Sequence, residues 1–349
     1  MRRSLALLLP LLLLAAACGD GENDSGSGAS EDAGGGSVSG EVDVTGSSTV
    51  EPISTAVAEL FQEENGDVTV NVDGPGTGDG FEQFCNGDAD ITDASRAIEQ
   101  EEADACQQNG VEYIELKVGF DGISVLTNPA NEDVNCLTFA DLYALIGPES
   151  EGVSNWSDAS ALATELGSTT ELPDASLDIT APGEESGTYD SFIELALGDI
   201  AEERVAAGSI SEDQAETTRP DYQASADDNV IVEGIEGSDT SLGWVGFAFA
   251  ENAGDGVKEI EVDGGDGCVA PSSDTIADAS YPLSRPLFIY VNKAEAEDNA
   301  AVAAYVDFYL SEEGITSVEE VGYVALPDDQ LSDTTTAWED RTAGTREAT

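Results

Sequence analysis

Ile123-Ser124-Val125-Leu126-Thr127-Asn128 is an apolar run closed by Asn, and Leu287-Phe288-Ile289-Tyr290-Val291-Asn292 has the same form much later in the chain. Both read as buried strands. If the chain leaves one lobe along the first run and returns along the second, the residues between them form an inserted second lobe, and two crossovers make a hinge beside a cleft. Around these runs, short β-branched segments alternate with helical ones, which predicts an α/β fold with mostly parallel sheets. Strands are expected at 42–45, 68–72, 90–92 and 113–116 in the first lobe, with helices at 52–64, from 81 to 85 and at 99–109. The second lobe is expected to hold helices at 139–146, 189–197 and 227–234 and strands at 179 and 242–246. The return segment adds helices at 300–310 and 315–321. The boundaries that follow are 42–128 plus 285–330 for lobe one, 129–284 for lobe two, and a C-terminal tail over 331–349.

The chain has 349 residues, of which 40% are hydrophobic, enough for two domains of ordinary size with a core in each. Upstream, Arg2 and Arg3 precede an apolar run from Leu5 to Ala17 that contains Pro10. A membrane-spanning helix needs about 20 residues, so this shorter run reads as a secretory leader. It ends in Leu14-Ala15-Ala16-Ala17-Cys18-Gly19, which resembles a bacterial lipobox with its Leu one place early. Residues 1–17 are therefore expected to be a lipoprotein signal peptide, Cys18 the lipidated, palmitate-bearing residue, and 18–41 a disordered acidic Gly/Ser tether. An ordinary signal peptide with an incidental Cys is the alternative.

Charge narrows the function. The whole chain carries 73 acidic against 11 basic residues, a net −62, and loss of Arg2 and Arg3 leaves nine basic residues and a net −64. Such a surface repels nucleic acid and anionic membrane, and it suits a protein working in concentrated salt, where self-repulsion is screened. There is no His, which excludes Ser-His-Asp and Cys-His catalysis and His-ligated zinc. Asp263-Gly264-Gly265-Asp266-Gly267 lacks the spaced carboxylates and closing Glu of a calcium loop, and no metal or cofactor is expected. With Cys18 set aside, four Cys remain in an exported chain, so two disulfides are expected. Three connectivities exist; Cys85–Cys106 with Cys136–Cys268 is preferred, because each pair then lies within one lobe.

Three Gly, Ser and Thr-rich turns each follow a strand and precede a helix: Thr45-Gly46-Ser47-Ser48-Thr49-Val50, Gly74-Pro75-Gly76-Thr77-Gly78-Asp79-Gly80, and Gly183-Glu184-Glu185-Ser186-Gly187-Thr188. A helix start leaves backbone N–H groups unpaired where the dipole favours an anion, so the three turns together suit a small oxyanion. The second turn has no Lys for a P-loop and no suitably placed acidic second strand for a dinucleotide fingerprint. Among the arginines, Arg96 closes Asp90-Ile91-Thr92-Asp93-Ala94-Ser95-Arg96 just past a strand of lobe one, where a guanidinium can grip two ligand oxygens. Pairing with a nearby carboxylate such as Asp93 is its alternative role. Arg219 and Arg285 read as structural, with Arg219 kept as a lesser ligand candidate.

In this order along the chain, Gly46 to Val50, Gly76 to Phe81, Asp90 to Arg96, Ser186 to Asp190 and Pro282 to Val291 resemble the phosphate-binding proteins of bacterial phosphate ABC transporters, in particular their lipoprotein branch. The resemblance covers about residues 42–328, including Arg219 to Asn229 and Val321 to Pro327. It implies a two-lobed periplasmic-binding-protein-like fold of type II, with two crossover strands and a ligand in the cleft. It also implies phosphate ligands at Ser48, Thr49, Val50, Thr77, Ser186, Gly187 and Thr188. Better-known members carry Asp directly after the Ala-Ser and Arg four residues before the Ser-Gly-Thr; here those places hold Arg96 and Pro182. Arg96 is therefore expected to supply the charge, and Asp79 and Asp93 are candidates to accept the ligand proton.

The expected function is extracytoplasmic capture of inorganic phosphate by a lipid-anchored monomer and delivery to the subunits of an ABC permease, without catalysis. Closure would bring donors from both lobes onto one ligand. Another tetrahedral oxyanion such as sulfate, a phosphate-ester hydrolase, and a sensor or adhesin on the same scaffold are the competing readings. The hydrolase lacks a recognisable carboxylate cluster or activated nucleophile.

Overall fold

Val42 and Val44 alternate with polar neighbours and bury on one face, the period-two pattern of a strand, and form β1 (Gly40–Gly46). The computed structural model describes residues 38–346 except residue 185. β1 leads through helix α1 (Glu51–Glu64) to β2 (Val68–Asp73), then through α2 (Thr77–Asn86) to β3 (Ile91–Ala94). β1 pairs in parallel with β2 on one side and with β3 on the other. The ends of β1 and β3 therefore diverge at a topological switch point, where ligands bind in open α/β sheets. After β3 come α3 (Gln100–Asn109) and β4 (Tyr113–Thr127).

β4 is one strand where the sequence suggested two. Gly119 and Gly122 look like breaks, but each sits where neighbours crowd the backbone. A Cβ on Gly119 would lie 2.9 Å from Val318, and one on Gly122 2.5 Å from Ile276. Beyond β4 the chain forms β5 (Cys136–Thr138), α4 (Phe139–Ile146), β6 (Asp178–Ala181), β7 (Gln223–Ala224), β8 (Ser241–Gly246), β9 (Lys258–Asp263) and β10 (Cys268–Val269). It then returns along β11 (Ser284–Asn292).

Pairing shows how β4 joins two sheets. β11 lies antiparallel to it from Ser284↔Gly122 to Asn292↔Tyr113 and is antiparallel to β3 on its other side. The first sheet thus runs β2-β1-β3-β11-β4 and is mixed, not mostly parallel, because the returning strand enters from the opposite end. Past Gly122, β4 pairs antiparallel with β8 and β9, and β8 continues in parallel to β6 and β6 to β7.

Side-chain alternation along β11 divides the first core. Ile289 and Val291 face a cluster with Ile53, Val57, Phe61, Tyr305 and Tyr309, and Phe288 and Tyr290 face Phe81, Phe84 and Ile98. Each such fully buried side chain contributes roughly 1.5–3 kcal/mol. A separate cluster around Leu142, Leu145, Trp156, Phe192 and Trp244 fills the second sheet's side. Cys85–Cys106 links α2 to α3, and Cys136–Cys268 links β5 to β10, so both expected disulfides are present.

The expected tail carries structure. Helix Asp328–Glu339 buries Ala337 and Trp338, and Trp338 Nε1 donates to Asp307 at 2.6 Å. Gly344 then bridges to Ile114 beside β4. The polar face of this helix, rich in Asp and Thr, hides the spacing of its few apolar residues. Among the described residues no helix is long and apolar enough to cross a membrane. The expected signal peptide, Cys18 and most of the tether lie outside the described residues.

Candidate functional site

The first turn follows β1 because Gly46 can take φ +130°, and no side chain would fit there: a Cβ would sit 2.2 Å from the Asp93 carbonyl. Ser47 N donates to the same carbonyl at 2.9 Å, which ties the turn to the end of β3. The second turn packs onto the first, with Gly76 N donating to Gly46 O at 2.8 Å. A Cβ on Gly80 would meet the Gly46 Cα at 2.4 Å. Gly80→Ala is therefore expected to push α2 off the first turn and cost about 2 kcal/mol in urea unfolding, a typical penalty for overpacking. An unchanged unfolding midpoint would show that this approach is not built into the fold.

The third turn caps helix Gly187–Phe192, with Ser186 Oγ accepting from Thr188 N at 3.2 Å. It comes against the first turn from the other sheet. A Cβ on Gly187 would be 3.6 Å from Ser48 O, and Thr49 Oγ1 and Ser191 Oγ are 3.4 Å apart. The structure thus gathers Ser48, Thr49, Ser186 and Gly187, and Thr188 follows in the first turn of the helix. A cavity of about 530 Å³ opens beside them, lined by Ser48, Glu51, Thr55, Ser186, Gly187 and Asp190, among others. Val50 is fully buried and its N–H already donates to Ser47 O at 3.1 Å. Thr77 Oγ1 lies 3.1 Å from Ser95 Oγ and accepts from Ser95 N at 3.3 Å, so it joins the second turn to β3.

The cation at this junction is Arg285. From the first residues of β11 its guanidinium reaches Thr49 Oγ1 at 3.1 Å and Ser191 Oγ at 2.7 Å through Nη2, and Asp121 at 3.3 Å through Nε. Nη1 donates to the Glu194 carboxylate. Arg285 is 6% exposed. Burial works against its charge, but Asp121 and Glu194 outweigh it and raise its pKa above the ordinary value. Glu194 lies in a π-helical turn, Ile193–Leu197, between helices Gly187–Phe192 and Gly198–Ala207. Such turns re-aim side chains at functional sites.

The other arginines are placed differently from expectation. Arg96 makes a two-pronged pair with Glu102, both bonds 2.8 Å, and lies 3.4 Å from Glu99. Its side-chain partner is thus not Asp93. Glu102 is held there by the capping box of α3. Arg219 is buried and spends its donors on Asp221, Leu145 O and Val153 O, all in the second lobe, so it is not brought to any of the turns. Arg285 was read as structural from sequence. The available signal was its place at the mouth of the returning crossover strand, where the chain passes between the two lobes.

The two proton-acceptor candidates also part. Asp79 is exposed on α2. Asp93 is buried beneath α1, accepts from Ser54 Oγ at 2.9 Å through Oδ1, and has no partner for Oδ2. Burial pushes its pKa up to about 8, the Ser54 bond opposing and the Glu51 charge adding. Asp190, on the cavity wall, is raised by desolvation and by Glu194, with Arg285 opposing. Cys136, Glu261 and Cys268 come close together, but both sulfurs are consumed by the disulfide.

Residues 31–313 match the PBP superfamily domain model. The chain is 34% identical over 299 residues to "Phosphate-binding protein PstS" of Staphylococcus saprophyticus, covering 85% of this chain and 83% of that one. This chain belongs to the PBP superfamily, among its PstS-like substrate-binding proteins. It is 39% identical over 290 residues to "Protein SphX" of Synechocystis, 82% of this chain and 79% of that protein. Among solved structures, that of a possible phosphate binding protein from Planctomyces limnophilus superposes with a TM-score of 0.77 at 37% identity, spanning 88% of this chain and all of that one.

Proposed function

We propose that the chain binds inorganic phosphate outside the cytoplasm and delivers it to the permease subunits of an ABC-type phosphate transporter, acting as a binding protein and not as an enzyme. The observation that carries the reading is the Arg285 guanidinium bound to hydroxyls of the first turn and of helix Gly187–Phe192 at once. In this reading Arg285 supplies the charge expected of Arg96. Ser48, Thr49, Ser186, Gly187 and Thr188 supply neutral donors, and Thr77 braces the second turn. A small anion is the ligand such a junction serves. The names of the relatives support phosphate over other oxyanions, and the Asp190 carboxylate beside the donors favours a ligand that brings its own proton. Residues 1–17 are read as the signal peptide and Cys18 as the membrane anchor of a monomer, with lobes at 42–128 plus 285–330 and 129–284.

Long-range repulsion from a −62 chain opposes capture of a dianion. At about 1 M salt the screening length falls to about 3 Å, which leaves contacts inside the junction to decide affinity. Titration calorimetry at pH 7 in molar KCl is expected to give a phosphate Kd below about 10 µM, near −7 kcal/mol, and sulfate binding at least about 100-fold weaker. Absence of phosphate binding, or sulfate binding as tight, would overturn the reading.

A further inference from the structure

Arg285 divides its donors among four partners, and they are not equally replaceable. Asp121 holds Nε from β4, and its side chain is 5% exposed. Thr49 and Ser191 hold Nη2 from the two sides of the junction. Glu194 holds Nη1, and its side chain is 57% exposed. With Nε on Asp121 and both Nη2 hydrogens on Thr49 and Ser191, an incoming oxyanion must take Nη1, which Glu194 holds. Asp121 is enclosed and has nowhere to go, while Glu194 is at the surface end of its turn and is rehydrated when it leaves.

We propose that Glu194 is an internal competitor for the bound anion: its carboxylate and the ligand take the same edge of Arg285, and binding exchanges one for the other. The inference rests on the phosphate reading above. The exchange swaps a carboxylate oxygen for a phosphate oxygen on Nη1, and Asp121 remains as the permanent counter-charge. Affinity is then set by a difference between two anions, and Glu194 lowers it.

The test is phosphate titration of the parent, Glu194→Gln and Glu202→Gln in about 1 M KCl. Glu202 is an exposed carboxylate on the following helix Gly198–Ala207 and controls for removal of a negative charge at longer range. Glu194→Gln is expected to tighten phosphate binding about tenfold and Glu202→Gln by less than about twofold, since molar salt screens the remote charge. A crystal structure of the parent with phosphate is expected to show Glu194 off Arg285. Weaker binding by Glu194→Gln would mean that Glu194 positions Arg285 for the ligand, and equal effects of the two variants would mean general electrostatics; either result overturns the proposal, as does a phosphate complex with the Glu194–Arg285 contact intact. If the parent binds no phosphate at all, the phosphate reading itself fails and takes this inference with it; if the parent binds and only the variant result fails, the phosphate reading stands.

Discussion

Arg285→Gln is expected to weaken phosphate binding by about 100-fold or more, while Arg96→Ala changes it by less than about threefold. Removing one partner of a buried, hydrogen-bonded charge pair costs roughly 2–5 kcal/mol, which at 1.4 kcal/mol per decade spans about 30-fold to several thousand-fold. Arg285 has that setting, nearly enclosed and bonded to Thr49 and Ser191 across the junction. Arg96 is already gripped by Glu102, and its side chain is 32% exposed. Its loss removes a partly solvated pair, worth about 1 kcal/mol or less. Because Arg285→Gln also leaves Asp121 buried without its cation, the variant is expected to lose about 3 kcal/mol of stability, so affinity is compared at a temperature where calorimetry shows it folded. Arg285→Lys keeps the charge but not the planar fork, and an intermediate loss is expected. The reverse ranking, with Arg96 dominant, would return the charge to the position expected from sequence.

Asp93→Asn is expected to stabilise the protein increasingly with pH. The Asp93 carboxyl is pushed up to about 8, mainly by burial, from an ordinary 3.8. Between those values the folded chain holds a proton that the unfolded chain has released. The raised group therefore contributes its full stability below about pH 4 and loses it as pH rises to about 8, at about 1.4 kcal/mol per unit. Asn cannot ionise, and its carbonyl oxygen still accepts from Ser54, so the variant escapes that loss. Its advantage over the parent should grow by about 1.4 kcal/mol per pH unit from about pH 4 to 8 and then level off. Part of the gain is offset by a buried amide N–H₂ where Oδ2 has no partner, a penalty of about 1–3 kcal/mol. Urea unfolding of both proteins at pH 4.5, 6 and 7.5 measures this. A difference that does not change with pH would show that Asp93 is ionised in the folded protein.

Thr92 and Asp93 are neighbours at the end of β3, and their side chains leave it on opposite sides. Thr92 Oγ1 packs under Gly46 and Gly80, whereas Asp93 lies under α1 with Ser54, which also contacts Tyr309. The polar atoms beneath the junction therefore do not form a single pool. Asp190, on the cavity wall, is the more accessible carboxylate of the two, and Asp93 is buried.

Much of the architecture was legible in the sequence because its causes are local. The period of two in β1, the apolar run of β11, the caps at Ser186 and at the start of α4, and the glycines of the three turns each depend on residues a few places away. The pairing of four cysteines followed from assigning each pair to one lobe, and the missing His excluded whole classes of chemistry without any fold. What only the tertiary structure decided was which arginine stands between the first turn and helix Gly187–Phe192. Arg96 is drawn to a carboxylate six positions along, held in place by the first turn of α3, whereas Arg285 meets Thr49 and Ser191, which lie 236 and 94 positions away. A guanidinium binds whichever oxygens the fold brings within 3 Å of it, and that distance is set by the crossing of β4 from one sheet into the other. No spacing in the chain encodes it.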